Sequence, residues 1–255
     1  MRLTLATITV NTMLRPGVHL IEMHAPYLAQ AAQPGQYCMV RCCHPLAYDP
    51  LLRRPFFIHG VQRAQGVCSL LINVRGRGTA WLAQQRVGAE LDIMGPLGHG
   101  WQIRSTVRNL LLIGVEPQIA ALTLLAQIAL AQELAVTLLC LSPSADEAYP
   151  PALLPEEVEY RIVSGDFMTE VEEYLNWADA ACCSVPRDTL SALYQRYERM
   201  RRRHFAQGVF LMQELEPQRL VCGNGVCLTC NVETRTGQQL ICRDGPVFAV
   251  REIVQ

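Results

Sequence analysis

Residues 107–141 read VRNLLLIGVEPQIAALTLLAQIALAQELAVTLLCL, and this stretch decides the fold class. Residues 110–113 are a continuous apolar run, residues 119–132 have the apolar spacing of a helix, and residues 135–141 are a second apolar run. A buried strand, a helix and another buried strand in succession indicate a parallel α/β domain. Polar residues interrupt the stretch before about 18 apolar residues accumulate, so we predict no membrane span.

The residues before this stretch have a different pattern, because short segments of alternating apolar and polar residues are separated by turn residues. These segments cover residues 4–10, 18–23, 37–41, 56–61, 67–74 and 90–94. Regular short strands of this kind are typical of a barrel or a sandwich. After the stretch, residues 178–185 have the pattern of a buried strand and residues 188–203 that of a helix. We therefore predict an antiparallel β domain over residues 1–104, a parallel α/β domain over residues 105–205 and a small segment over residues 206–255.

The overall composition excludes several functional classes. The 255 residues include 22 basic and 23 acidic residues, so a net charge of −1 provides no field that would hold nucleic acid. All the basic residues are arginine, which excludes Schiff-base chemistry and a P-loop lysine because both need an amine. The N-terminus alternates apolar and polar residues and lacks the apolar core of a signal peptide, which predicts a cytoplasmic protein.

Four of the eleven cysteines lie close together near the C-terminus. The first three have the spacing C-x4-C-x2-C, which is typical of plant-type [2Fe–2S] ferredoxins, and the fourth follows after eleven further residues. The intervening Gly223 and Gly225 allow the backbone to fold tightly around an inorganic core and to direct N–H groups at its sulfurs. We therefore predict a [2Fe–2S] cluster with the ligands Cys222, Cys227, Cys230 and Cys242.

Two alternatives to this cluster remain at this stage. One is a structural zinc site with four cysteine ligands, and the other is a set of unpaired core cysteines. Zinc ribbons favour two C-x2-C knuckles, whereas Cys227 and Cys230 form the only such pair in the sequence. The spacing therefore favours the iron–sulfur cluster.

Three segments of the first hundred residues have the chemistry to contact a phosphate-bearing cofactor. Residues 53–57, Arg-Arg-Pro-Phe-Phe, place two cations beside a rigid aromatic segment that can flank a flat ring. Residues 75–79, R-G-R-G-T, and residues 95–101, G-P-L-G-H-G-W, allow backbone amides to approach phosphate oxygens closely. Ordinary tight turns have the same composition, so each segment carries little weight alone.

The order of these pieces resembles that of the electron-transfer subunit of type B dihydroorotate dehydrogenase, within the ferredoxin-reductase superfamily. The resemblance spans nearly the whole chain, and its most specific parts are residues 222–230, CGNGVCLTC, and residues 242–248, CRDGPVF. It implies that the N-terminal domain is a FAD-binding antiparallel β-barrel and that FAD lies between it and the α/β domain. The FAD-binding residues it implies are Arg54 on the phosphates, Pro55, Phe56 and Phe57 beside the flavin, and Gly76, Gly78 and Thr79 along the diphosphate.

The same resemblance implies a partner protein. The partner is expected to be a catalytic oxidoreductase subunit that contains FMN and resembles dihydroorotate dehydrogenase, so that the chain works within a hetero-oligomer. In such complexes electrons pass one at a time through the cluster to FAD, which delivers a hydride to NAD⁺. Flavin is needed because it converts single electrons into pairs. Nucleic acid is not expected as a partner, and no membrane span is expected.

Three positions depart from the family pattern. Phe57 stands where the family has a serine whose hydroxyl lies close to the flavin N5 edge. Residues 114–118, G-V-E-P-Q, stand where the family has G-G-G-x-G, and here Glu116 adds negative charge while Pro117 removes an N–H group. Residues 183–186, C-S-V-P, lack the glycine of a C-G-P turn near the nicotinamide. We therefore predict a relay that keeps the cluster and FAD and has lost productive NAD(P)H binding.

Two functions of other classes remain as alternatives. The first is a non-catalytic structural or assembly subunit with a structural metal site, which the absence of flavin in purified protein would favour. The second is a stand-alone NAD(P)H-dependent enzyme like ferredoxin reductase, which predicts turnover of pyridine nucleotide without a partner. The altered residues at 114–118 argue against the second alternative.

Overall fold

The computed structural model describes residues 1–116, 118–165, 167–200, 207–209 and 220–253. These residues form an antiparallel sheet, a mainly parallel α/β sheet and a small C-terminal hairpin, in that order along the chain. The predicted fold class is therefore confirmed. None of the helices within the described part of the chain is long and apolar enough to cross a membrane.

The N-terminal domain is a curled antiparallel half-barrel. Its strands are Arg2–Arg15 (β1), Val18–His24 (β2), Tyr37–Val40 (β3), Arg54–Phe57 (β4), Gly60–Gln62 (β5), Val67–Asn73 (β6) and Glu90–Leu97 (β7). They are arranged in the order β4-β3-β7-β1-β2-β6-β5. Two short helices that the sequence pattern does not predict, Pro26–Ala31 (α1) and Arg77–Ala83 (α2), follow β2 and β6 respectively. Proline is tolerated at the start of α1 because the first N–H of a helix has no internal partner.

The second domain is built on a six-stranded sheet with the order β10-β9-β8-β11-β12-β15. The strands after the half-barrel are Asn109–Val115 (β8), Ala135–Leu141 (β9), Glu159–Val163 (β10), Ala180–Ser184 (β11), Gln207–Val209 (β12), Asn231–Thr234 (β13), Gly237–Leu240 (β14) and Val247–Phe248 (β15). The helices are Ala120–Ala131 (α3), Phe167–Trp177 (α4), Arg187–Met200 (α5), Ile241–Asp244 (α6) and Val250–Ile253 (α7). The predicted strands and helices at residues 110–141 and 178–200 are confirmed, and residues 201–203 of the predicted last helix lie outside the described residues.

Helix α3 is buried between the two domains. Its side chains are apolar nearly all round, which is typical of a helix that is covered on several sides. Leu124 packs into the interior of the half-barrel, while Leu122 and Leu125 belong to the core of the α/β domain. The hydroxyl of Thr123 donates a hydrogen bond to the carbonyl oxygen of His59 at 2.5 Å. This helix therefore fixes the half-barrel against the parallel sheet.

The C-terminal segment contacts both domains. Strand β15 pairs antiparallel with β12 at the edge of the parallel sheet. One residue earlier, Pro246 forms a bridge with His99, which follows the last strand of the half-barrel. Strands β13 and β14 form a separate hairpin, and α6 follows it directly. This arrangement brings Cys242, on α6, back to the loop that holds the other three cysteines of the predicted cluster.

Candidate functional site

The cysteine-bearing loop at residues 222–230 has a tightly folded backbone. Gly223, Gly225 and Leu228 have φ angles of +71°, +85° and +58°. Glycine adopts such angles without strain, which is the physical reason for the two glycines between the first two cysteines. Leu228 adopts the same conformation at a cost of about 1–2 kcal/mol, so the surrounding loop must hold it in place.

The sulfur atoms of the four cysteines form two pairs. Cys230 Sγ and Cys242 Sγ are 3.2 Å apart, and Cys222 lies close enough to Cys227 to lower the pKa of its thiol. Two pairs of thiolates match the four-cysteine ligand set of a two-iron cluster. In the part of the chain that the structure describes, no three Cys, His, Asp or Glu side chains are arranged to hold a single metal ion. Four cysteine donors with the spacing of a plant-type ferredoxin fit a [2Fe–2S] cluster.

Cys227 and Cys242 differ in their readiness to bind metal. The hydroxyl and the backbone N–H of Thr229 lower the pKa of Cys227 to about 6, and Cys222 lowers it further. Burial raises the pKa of Cys242 to about 12, and neighbouring Cys230 adds to this rise. The thiolate is the form that binds metal. Cys227 is therefore ready to bind at neutral pH, whereas Cys242 loses its proton only when the metal supplies positive charge.

The cysteine loop rests directly on the half-barrel. A Cβ atom on Gly223 would lie 3.1 Å from side-chain atoms of Met39 on β3 and of Met94 and Leu97 on β7. Glycine is therefore required at this position both for its φ angle and for the close approach of the loop to these strands. On the opposite side of the loop Cys227 is partly exposed between Val226 and Leu228, which are 77% and 64% exposed.

The glycine-rich segment at residues 95–101 holds the C-terminal segment in place. The backbone N–H of His99 donates a hydrogen bond to the carbonyl oxygen of Gly245 at 2.6 Å. A Cβ on Gly98, where φ is +74°, would lie only 2.5 Å from that same oxygen. The glycine composition of this segment predicted that it could approach a phosphate. In the structure, Gly98 instead packs against the backbone of Gly245.

The two neighbouring arginines of the 53–57 segment have different partners. Arg53 makes an ion pair with Asp92 at 2.6 Å and also donates to the carbonyl oxygen of that residue. Arg54 donates only to the carbonyl oxygens of Leu52 and Arg53, at 2.8 and 3.5 Å. No carboxylate of the described residues pairs with it. Of the two arginines, Arg54 is thus the one whose charge is not paired with a described carboxylate and could bind a phosphate.

Helix α2 begins next to Arg54. A Cβ on Gly78 would lie 3.1 Å from Cys42 and 3.8 Å from the Arg54 side chain, so the first turn of the helix packs closely against β4. Gly76 faces open space, since nothing lies within 4 Å of the position of its Cβ. The hydroxyl of Thr79 accepts hydrogen bonds from the backbone N–H groups of Arg75 and Gly76 and fixes the turn. The structure therefore places Gly78 beside Arg54, with Gly76 and Thr79 in the same turn.

The aromatic residues of the same segment lie on an edge strand. Pro55 is tolerated there because β4 has a neighbour on one side only. Phe56 is partly exposed, whereas Phe57 is 7% exposed and pairs with Tyr37 across the sheet. The ring of Phe57 belongs to the core that the half-barrel shares with the α/β domain. It supplies no hydrogen-bond donor at this place.

The turn after β8 is the position of the altered nucleotide motif. Gly114 allows close contact with α3, because its Cβ would lie 3.1 Å from Ile119 and Leu122. The Glu116 side chain is 11% exposed and lies 3.6 Å from Arg15 of the half-barrel. Its carboxylate accepts no hydrogen bond from any residue that the structure describes. Burial raises the pKa of Glu116 to about 7, although Arg15 opposes the rise.

Further contacts close the space above β8 and its neighbours. The hydroxyl of Ser184, at the end of β11, donates to the carbonyl oxygen of Gln118 at 2.7 Å. Arg15 donates to the carbonyl oxygen of Ala148 at 2.7 Å, and the Tyr149 hydroxyl lies 2.6 Å from Nε2 of His59. In open α/β sheets the carboxyl ends of adjacent strands form the crevice that receives a dinucleotide. Here a buried carboxylate follows β8, and a hydrogen bond joins the segment after β8 to the end of β11.

Comparison with known proteins identifies the family. The family model described as the iron–sulfur cluster binding domain of dihydroorotate dehydrogenase B matches residues 217–254, which include all four cysteines. The chain is 32% identical to the electron transfer subunit of dihydroorotate dehydrogenase B (NAD(+)) from Desulforamulus reducens, over 95% of this chain and 94% of the relative. The chain belongs to this family. The corresponding subunit of Geobacillus thermodenitrificans is 28% identical, over 97% of each chain.

Solved structures agree with this membership in the dihydroorotate dehydrogenase B electron transfer family at the level of fold. The NADH-dependent reduced ferredoxin-NADP oxidoreductase superimposes with a TM-score of 0.81, at 19% identity, over 98% of this chain and 90% of that chain. The ferredoxin reductase of carbazole 1,9a-dioxygenase gives a TM-score of 0.63 at 19% identity, over 77% of this chain and 65% of that chain.

The sequence analysis did not single out Tyr37 or Arg15. Arg15 pairs with Glu116, and Tyr37 packs near Gly98, so the neighbours that distinguish both residues are distant along the chain.

Proposed function

We propose that this chain relays electrons between a catalytic partner subunit and FAD through a [2Fe–2S] cluster, without exchanging electrons with nicotinamide nucleotides. The observation that carries the relay is the arrangement of the four cysteine sulfurs in two pairs, on a loop that packs against β3 and β7. The same loop leaves Cys227 partly exposed on its outer side. A cluster held there would have one side toward the half-barrel and the other toward a partner.

The flavin part of the proposal rests on Arg54 and the start of α2. Arg54 would bind the FAD phosphates, because it has no carboxylate partner among the described residues and lies beside Gly78. Gly76 and Thr79 would shape the backbone along the diphosphate. Bound FAD supplies the conversion of single electrons into pairs. Phe57 provides an apolar surface in place of a hydrogen bond, so the flavin edge near it would lack a protein donor.

The partner part rests on family membership. The relatives are electron transfer subunits, and that name implies a separate subunit that oxidises the substrate. We infer an FMN-containing catalytic subunit that resembles dihydroorotate dehydrogenase, in a hetero-oligomer with this chain. The exposed apolar side chains of Val226 and Leu228 beside Cys227 support a contact at this loop, because burial of such side chains in an interface is favourable.

The absence of nicotinamide exchange rests on the crevice above β8. A dinucleotide binds at a glycine-rich helix start that offers free N–H groups to the pyrophosphate. Here Glu116 places a carboxylate at that turn, Arg15 holds it from the half-barrel, and Ser184 ties Gln118 to β11. The names of the relatives include NAD(+), so this chain differs from them in its proposed electron acceptor.

Anaerobic visible absorption spectra test the proposal. Purified protein is measured before and after addition of excess NADH, and then after dithionite. We expect flavin and iron–sulfur bands that dithionite bleaches and NADH leaves unchanged. Bleaching by NADH within seconds would contradict the nicotinamide part and leave the relay intact. A protein without flavin and iron would contradict the relay itself.

A matched pair of variants tests the placement of FAD. Arg54→Ala removes a charge-assisted contact, which typically contributes about 1.5–3 kcal/mol, so we expect FAD affinity to fall by roughly ten- to a hundredfold. Arg161→Ala removes an exposed arginine on β10 and should leave FAD affinity unchanged. Titration of the apoprotein with FAD, followed by flavin fluorescence, measures both. Equal affinities for the two variants would rule out Arg54 as a phosphate ligand.

A further inference from the structure

Tyr37 lies where the half-barrel meets the C-terminal segment. It is the first residue of β3 and pairs with Leu97 on β7. Met39, two residues further along the same strand and therefore on the same face, contacts the cysteine loop at Gly223. A Cβ on Gly98 would lie 3.1 Å from the Tyr37 ring and 2.5 Å from the carbonyl oxygen of Gly245. Tyr37 is thus enclosed between β7 and the two parts of the chain that carry the cluster ligands.

The hydroxyl of Tyr37 is buried and has no partner in the part of the chain that the structure describes. The residue is 0% exposed, and its oxygen makes no hydrogen bond to any described residue. A buried hydroxyl without a partner costs about 1–3 kcal/mol, which a phenylalanine at this position would avoid. The other fully buried tyrosine, Tyr149, does have a partner, because its hydroxyl lies 2.6 Å from His59. The unpartnered donor therefore requires an acceptor that the described residues do not supply.

The predicted cluster ligands are among the groups that act on this hydroxyl. Burial raises the pKa of Tyr37 above its ordinary value, and negative charge on Cys242, Cys230 and Cys222 raises it further. The main geometric link is the one at Gly98, which approaches both the Tyr37 ring and the carbonyl oxygen of Gly245, three residues after Cys242. Other donors are already directed at these sulfurs, since the N–H of Asn224 donates to Cys222 Sγ at 3.5 Å. The site supplies donors to a set of sulfur atoms, which fits an iron–sulfur core.

We propose that the Tyr37 hydroxyl donates a hydrogen bond to a sulfur atom of the [2Fe–2S] cluster and thereby sets its reduction potential. The inference rests on the proposed function, because it requires the cluster to be present. Tyr37 acts here as a tuning residue that does not itself carry electrons. A hydrogen bond to sulfur favours the reduced cluster, since reduction adds negative charge to the acceptor. The phenol therefore raises the potential and makes the cluster easier to reduce.

The test compares Tyr37→Phe with Tyr149→Phe in the full-length protein. Both changes delete one buried hydroxyl, but Tyr149 is hydrogen-bonded to His59, and none of the four predicted cluster ligands acts on it. Each protein is titrated anaerobically, with the cluster followed by electron paramagnetic resonance and the flavin by visible absorption. For Tyr37→Phe we expect the equilibrium constant for cluster reduction to fall by roughly three- to tenfold, which corresponds to one hydrogen bond. For Tyr149→Phe we expect no change.

The possible outcomes separate this inference from the proposed function. A wild-type protein without iron would overturn both. A loaded Tyr37→Phe protein with an unchanged cluster potential would overturn only the role of Tyr37. A shift in the flavin potential alone would show that the Tyr37 hydroxyl donates its hydrogen bond to the flavin and not to the cluster, which would overturn the inference. Failure of Tyr37→Phe to retain the cluster would show a packing role for the residue, because one hydrogen bond is too weak to control retention.

Discussion

Replacement of Glu116 by glutamine tests whether the turn after β8 contains a buried carboxylate. Glu116 is 11% exposed, and burial raises its pKa from 4.5 to about 7. The folded protein therefore holds the proton more tightly than the unfolded chain does. The stabilisation that results is fully present below pH 4.5, and it is lost as the pH rises through 7. Glutamine has nearly the same shape and does not titrate, so Glu116→Gln should lose this dependence.

The magnitude follows from the shift in pKa. A shift of about 2.5 units at 1.36 kcal/mol per unit corresponds to about 3.4 kcal/mol between pH 4 and pH 9. Between pH 5 and pH 8 the accessible part is about 2.5 kcal/mol. We expect the wild type to lose this much stability relative to Glu116→Gln over that range. His59 has the opposite dependence, because burial lowers its pKa to about 4, so the comparison with the variant is needed to isolate Glu116.

Urea denaturation at pH 5, 6, 7 and 8 provides the measurement. The quantity compared is the difference in the free energy of unfolding between wild type and Glu116→Gln at each pH. Glu157→Gln makes the same chemical change at an exposed position and serves as the control. If the difference for Glu116→Gln were independent of pH, the carboxylate would be solvated and the interpretation of this crevice would be wrong.

Three further predictions concern the cluster loop, its packing and the contact between domains. Cys227→Ser should abolish the iron content of the protein, whereas Cys140→Ala, at a buried cysteine outside the cluster, should retain full iron content by colorimetric assay. Gly98→Ala should loosen the C-terminal segment, because its Cβ would lie 2.5 Å from the oxygen of Gly245, and limited proteolysis should then cut that segment at least tenfold faster. His59→Gln should lower the free energy of unfolding, measured by urea denaturation at pH 7, by about 1–3 kcal/mol because it breaks buried hydrogen bonds. The difference from wild type should shrink as the pH falls from 6.5 towards 4. Burial lowers the pKa of His59, so the folded wild type resists protonation and loses stability over this range.

The sequence was most informative where function depends on local spacing. Four cysteines at fixed intervals, with glycines between the first two, specify an iron–sulfur ligand set because the ligands must converge within one short loop. In the structure the sulfur atoms of Cys242 and Cys230 are 3.2 Å apart, so the fourth cysteine lies beside the short loop that carries the first three. The same holds for the alternation of strands and helices at residues 107–141, because periodicity reports directly on which faces are buried.

The sequence was less informative where one composition serves two purposes. The segments at residues 76–78 and 95–101 are both rich in glycine. In the structure, however, the first lies beside Arg54 and the second packs against Gly245. Likewise, nothing in the pair Arg53-Arg54 indicates that Asp92, which is 39 residues away, neutralises the first and leaves the second available. Such distinctions depend on partners that only the folded chain brings near.

For this protein the sequence alone predicted the order of the segments, the cluster ligands and the departure from the glycine-rich nucleotide turn, because each prediction depends on residues that are close together along the chain. Only the tertiary structure decided which of the two arginines pairs with a carboxylate, that Arg15 reaches Glu116 across the domain contact, and that the Tyr37 hydroxyl is buried without a partner among the described residues. The physical reason is that burial and charge pairing depend on distances between residues that are far apart along the chain, and local pattern carries no record of those distances.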